Sequence, residues 1–142
     1  FHAFLPHKFV DHTHANAVWT KAGATTVAFE ALANEYKRLE PGRFQGAVKG
    51  RQDLAALNLD APEPPKQIIT GDKFVLNDGS RRIEFRHYGW GHTRGDGYVY
   101  LPNEKIIATG DAAVNAPANF LTDSNMRNWP EIMGKVTKVQ LE

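Results

Sequence analysis

The chain predicts a mixed fold, α+β or a layered α/β/α arrangement, on three observations. A β-branched run, TTVAF (25–29), leads directly into EALANEYKRLE (30–40), a segment rich in helix formers. The second half carries two hairpin patterns, each with a turn between two apolar runs. The tail NWPEIMGKVTKVQ (128–140) places Trp129, Ile132, Met133, Val136 and Val139 at helical spacing, and Pro130 suits the first turn of such a helix.

Taken in order, residues 3–10 read as a short buried strand that ends in a cluster of His and Asp. HANAVWTK (14–21) reads as a short helix with Ala15, Val18 and Trp19 on one face, stopped by Gly23. The strand 25–29 follows, then the helix 30–40, which Pro41-Gly42 should end. Residues 43–51 read as loop, and 52–59 as one or two helical turns. APEPPK (61–66) is a stiff surface connection without the makings of a domain boundary. KFVLN (73–77) and RRIEFRHY (81–88) form a hairpin around Asp78-Gly79, and GYVYLP (97–102) with KIIATGD (105–111) forms a second. No internal repeat is present, and 1–142 is read as a single domain.

A chain of 142 residues, 42% apolar and 23% charged, can build one core of its own. A net charge of +1 supplies no field that would steer it to nucleic acid or to an anionic membrane. No window approaches the roughly 20 apolar residues of a spanning helix, so the chain reads as soluble, cytoplasmic or exported. It begins at Phe1 without a leader, as after processing or truncation. With no Cys, disulfides, thiolate zinc sites and a Cys nucleophile are excluded, and a transition metal would have to be held by His, Asp and Glu.

Three clusters offer those ligands. The first is His7, Asp11, His12 and His14; the second is GWGHTRGDG (89–97), with His92 and Asp96; the third is TGDAAVN (109–115), with Asp111. Each lies at a strand end or in the loop after it, where scaffolds commonly place sites. Singly they have plainer readings: His92 as a turn residue, Asp111 as a cap, Asp72 and Asp78 as turn formers, His2 and His87 as strand or surface positions. Their joint occurrence favours a metal centre. Two ions about 3.5–4 Å apart can share a carboxylate, the part Asp111 would play.

With these residues the chain resembles the metallo-β-lactamase superfamily, whose signature is H-x-H-x-D-H, a histidine in a G-H-T-x-G-D loop, an aspartate in T-G-D and a last histidine. GHTRGDGYVYLPNEKIIATGD (91–111) fits the central double motif almost throughout, and DHTHANAVWTKAGATTVAF (11–29) resembles the helix and strand after the first motif. The resemblance spans about residues 1–140 and implies an αββα sandwich, here incomplete at both ends, because the family's first strands and last metal-ligand segment have no counterpart. Two registers exist for the first motif. His7 to His12 keeps three of four ligands, with Phe9 in place of the second His. His12 to Ala17 keeps two. The first also leaves the family spacing to GATTVAF and is the one adopted.

In that register the resemblance assigns His7 and His92 to a first metal, Asp11 and His12 to a second, and Asp111 to both. His14 and Asp96 become pocket-rim or supporting residues, and Asn115 and Asn119 stand near the pocket mouth. The implied chemistry is that of a dinuclear zinc hydrolase, in which a metal-bound hydroxide attacks an ester, thioester, lactone or amide and Asp11 orients the nucleophile. Asp rather than Cys at 111 places β-lactams behind other substrates. Rival readings are a non-catalytic relative with a weakened site, motivated by Phe9 and the missing last His, and a redox relative holding two irons. Metal content separates the three. A partial domain also implies self-association, or a partner segment that completes the fold.

Overall fold

The computed structural model describes residues 1–57, 61–115 and 118–139. Two sheets face each other, each with helices on its outer side. The first is parallel and three-stranded, in the order β1 (His2–Phe4), β2 (Thr25–Phe29), β3 (Gln67–Ile69). The second is antiparallel and four-stranded: β4 (Lys73–Asn77), β5 (Arg82–His87), β6 (Gly97–Leu101), β7 (Ile106–Ala108).

Between the sheets lies a core of Val27, Phe29, Ile69 and Phe85, with Phe4, Phe74 and Val99 packed against it. Period-2 alternation sends the other side chains outward. Leu5 and Ala28 meet Leu32 and Tyr36 of α3 (Glu30–Gly50) behind the first sheet. Tyr98 and Ala112 meet Ile132 and Val136 of α5 (Trp129–Val139) behind the second. The layers are therefore those of an αββα sandwich. Two short helices, α1 (Val10–Thr13) and α2 (Asn16–Lys21), link β1 to β2, and α4 (Gln52–Ala55) follows α3.

Several elements depart from the sequence reading. The strand expected over 3–10 stops at Phe4, because Pro6 has no N–H for the ladder and the chain turns into α1. The helix expected to end at Pro41 runs on to Gly50. Proline costs a helix one backbone bond, but here the continuation is anchored by side chains: Arg43 stands near Glu40 and Asp123, and Phe44 stacks edge-on against His14. Residues 43–51, expected as loop, are thus almost wholly helical. In α2 the buried residues are Asn16 and Ala17, whereas Val18 and Trp19 are exposed. Asn16 Nδ2 donates to the Glu63 carbonyl at 2.8 Å, and this bond turns the helix away from its apolar stripe. β3 was not anticipated at all. The expected helical turns at 52–59 shrink to α4, with 58 and 59 outside the described residues, as is residue 140 of the expected last helix. Both hairpins form, the first around Asp78, whose Oδ1 accepts from Ser80 N, Ser80 Oγ and Arg81 N.

Candidate metal centre

The motif HKFVDH leaves β1 at its carboxyl end. The Phe9 carbonyl accepts from the amides of His12 and Thr13, so α1 is a single turn that brings Asp11 and His12 back over His7. Lys8 is 2% exposed, which an ammonium tolerates only when paired; its Nζ lies 2.9 Å from Asp123 Oδ2 and 3.3 Å from Glu35 Oε2. The loop is held by this buried cation.

Asp111 arrives from the far end of β7, in a 3₁₀ turn (Gly110–Ala112). Gly110 has φ +52, and a Cβ there would stand 2.9 Å from Pro6 Cβ and 3.6 Å from His7 Cδ2. A glycine is what lets the two motifs approach. Asn119 Nδ2 and Trp129 Nε1 donate to the carbonyls of Asp111 and Ala112 and fix the turn.

The result is a three-ligand group. Asp111 Oδ2 is 3.4 Å from His7 Nε2, and its Oδ1 is 3.3 Å from His12 Nε2. The donor atoms of His7, His12 and Asp111 all lie within 4.8 Å of one another. Asp11, on the open side, places Oδ2 3.3 Å from His12 Nε2 with a side chain that is 66% exposed. His92 is fully buried beside this group, its ring 5.1 Å from that of His7. Burial lowers its pKa. Burial, and then the neighbouring His12, push His7 down to about 4 against the opposing pull of Asp111. Both imidazoles are therefore neutral at pH 7, the form that binds metal.

Phe9 packs against the rings of the cluster. Its ring stands edge-on to His7, His92 and Phe120 at 5.2, 5.3 and 5.1 Å. With Asp11, Arg43, Asp111 and Phe120 it lines a cavity of about 380 Å³ over the cluster. His14 does not face the cluster; its Nε2 is 2.7 Å from Glu40 Oε2 on α3. Asp96 is buried beneath the His92 loop, where its Oδ1 accepts from Thr93 N at 2.8 Å and Thr93 Oγ1 at 2.6 Å. Burial raises its pKa to about 6 despite these bonds. Asn115 is exposed, whereas Asn119 braces Asp111. Sequence reasoning missed Lys8 and Arg43. A lysine inside a motif, followed by Phe9 and Val10, could have drawn attention to the first. The second became visible only once α3 continued beyond Pro41.

Comparison with known proteins agrees with this fold. The family model for the metallo-beta-lactamase superfamily matches residues 10–135. Among solved structures, a metallo-beta-lactamase from Pontibacter korlensis superposes with a TM-score of 0.70 at 21% identity, covering 98% of this chain and 56% of its own. The DIM-1 metallo-beta-lactamase exposed to ceftazidime gives 0.72 at 18%, covering 97% and 54%, and the metallo-beta-lactamase IND-7 gives 0.72 at 16%, covering 98% and 55%. The chain thus spans about half the length of these structures. No curated protein matches significantly. With the signature loops converging on Asp111 in an αββα frame, this chain belongs to the metallo-beta-lactamase superfamily.

Proposed function

We propose that the chain carries the metal-binding half of a hydrolase centre that holds one zinc ion through His7, His12 and Asp111, with His92 beside them. The observation that supports this reading is the convergence of three donor atoms from two distant motifs. Two imidazoles and a carboxylate are a set that zinc accepts, and the buried ring of His92 lies 5.1 Å from that of His7. One ion replaces the two expected from the motif, because Phe9 occupies the volume of a first-site ligand and phenyl does not coordinate. Bound there, zinc supplies Lewis-acid polarisation and acidifies water.

The protein's own residues supply the rest. Asp11 is open to the cavity within 3.3 Å of His12, placed to accept and pass on a proton. Phe9 and Phe120 give the cavity apolar walls, and Arg43 adds a cation to its lining. No serine or cysteine nucleophile is required, and the substrate is an ester, thioester, lactone or amide. The contacts of Phe9 with both imidazoles also favour a second reading, a non-catalytic member whose weakened site serves binding.

Elemental mass spectrometry of the chain purified without chelator tests the proposal, alongside Asp111→Ala. We expect close to one zinc per chain, falling well below that in the variant. Absence of metal from both would overturn it. Zinc without turnover on an ester and lactone panel would favour the second reading.

A further inference from the structure

We propose that Arg43 selects the substrate of this centre, and that the substrate carries a carboxylate a few bonds from the group that meets the metal. The inference rests on the zinc reading above and deepens it. Arg43 stands on the part of α3 that continues beyond Pro41, and it lines the cavity over the cluster together with Phe9, Asp11, Asp111 and Phe120. The Phe9 ring is the spacer. Its centroid lies 5.2 Å from the His7 ring and 5.9 Å from the guanidinium carbon of Arg43. One phenyl ring therefore separates the metal ligands from the cation, a span that a small substrate covers.

The guanidinium is held in place but not saturated. Nη1 stands 3.8 Å from Glu40 Oε1 and Nη2 3.7 Å from Asp123 Oδ2, so both ion pairs are longer than a hydrogen bond. Both carboxylates have closer partners: Glu40 Oε2 is 2.7 Å from His14 Nε2, and Asp123 Oδ2 is 2.9 Å from Lys8 Nζ. Glu35 is likewise taken by Arg38 at 2.8 Å and by Lys8 at 3.3 Å, with Arg94 at 4.0 Å. Four cations, Lys8, Arg38, Arg43 and Arg94, thus share three carboxylates, Glu35, Glu40 and Asp123. One positive charge is left over, and Arg43 is the member of this network that lines the cavity, with 31% of its side chain exposed.

What this group can bind follows from its chemistry. A guanidinium only donates, and its planar fork matches the two oxygens of a carboxylate. The charge of the lining selects in the same direction. Asp11 and Asp111 offset the two charges of a zinc ion, which leaves the one positive charge of Arg43 for a monoanion to balance. An ammonium would meet Arg43 with like charge, and a neutral group would leave the fork unused. A phosphate dianion would exceed the balance and face Asp11, whose side chain is 66% exposed.

The test uses the full chain loaded with zinc and three hydroxamic acids that grip a metal through the same group: butyrohydroxamate, succinic monohydroxamate and glutaric monohydroxamate. Only the last two end in a carboxylate. By calorimetric titration at least one of them should bind about tenfold tighter than butyrohydroxamate, the gain that one charge-assisted hydrogen bond makes. The Nε–H signal of Arg43 in ¹H–¹⁵N spectra, identified by its loss in Arg43→Gln, should move with that ligand and stay in place with butyrohydroxamate. Arg43→Gln should remove the preference, and Arg43→Lys should restore part of it. A zinc-loaded chain that binds all three alike or none of them, an unmoved Arg43 signal, or a preference that survives in Arg43→Gln would each overturn the role of Arg43 and leave the zinc reading standing. A chain that takes up no zinc overturns that reading, and this one with it.

Discussion

Two loops meet over Asp111, and they are held by opposite means. The loop 89–96 folds around a buried carboxylate, Asp96, which accepts from the backbone and hydroxyl of Thr93. A Cβ on Gly95 would lie 2.4 Å from the Leu32 backbone, so this loop rests directly on α3. The loop 5–12 folds around a buried ammonium, Lys8, which ties it to Glu35 and Asp123. In both, the group that shapes the loop is distinct from the residues that would bind metal. That separation is how position 9 can carry Phe while His7 and His12 still converge on Asp111.

The comparison breaks most visibly at Lys8. Lys8→Met leaves two carboxylates facing an apolar side chain and should cost about 3 kcal/mol, read from urea denaturation of the metal-free chain. A loss under about 0.5 kcal/mol, the size of an ordinary surface change, would mean that the cation does not hold the loop.

Asp96 tests the opposite loop through pH. Its folded pKa is raised, so the folded state binds the proton more strongly than the unfolded one. The group's contribution is fully present below about pH 4 and is lost as pH rises through about 6. At roughly 1.4 kcal/mol per unit the span is near 3 kcal/mol, an upper figure. Asp96→Asn should flatten this fall in the metal-free protein. His7 runs the other way. Its folded pKa is lowered, so its contribution is full above pH 6.5 and is lost as pH falls through about 4. An identical stability profile for the variant and the parent would count against the assigned role of Asp96.

Position 9 sharpens the comparison directly. Phe9→His returns an imidazole to a place flanked by His7 and His92, and zinc affinity should rise at least 10–100-fold, the range that even supporting residues command. Competition against a fluorescent chelator measures it; no gain would show that the space is closed to a ligand. The smallest effect is expected at Asn119→Ala, where one hydrogen bond to the Asp111 carbonyl is lost. About 1 kcal/mol of stability should go, with a modest drop in zinc affinity.

Much of the frame is legible in the sequence. The hairpin around Asp78-Gly79, the strand 25–29 and the amphipathic spacing of 128–139 depend on local rules of turn chemistry and periodicity, and they appear where those rules put them. The errors fall where distant contacts outweigh local preference. Pro41 reads as a stop, yet Glu40, Arg43 and Phe44 find partners across the structure that carry the helix onward. Val18 and Trp19 read as a buried face, yet Asn16 is the residue drawn inward, by a carbonyl 47 positions away.

The candidate site divides along the same line. Sequence alone determined which residue types are available for metal and that no thiol is among them. Those are facts of composition and spacing. Only the tertiary structure decided which donors meet. His7, His12 and Asp111 form one group because Gly110 admits close approach of two chain segments. His14 is claimed by Glu40, and Phe9 packs edge-on against His7 and His92. Convergence of side chains this far apart in sequence is a property of packing and charge pairing across elements, which no local pattern encodes.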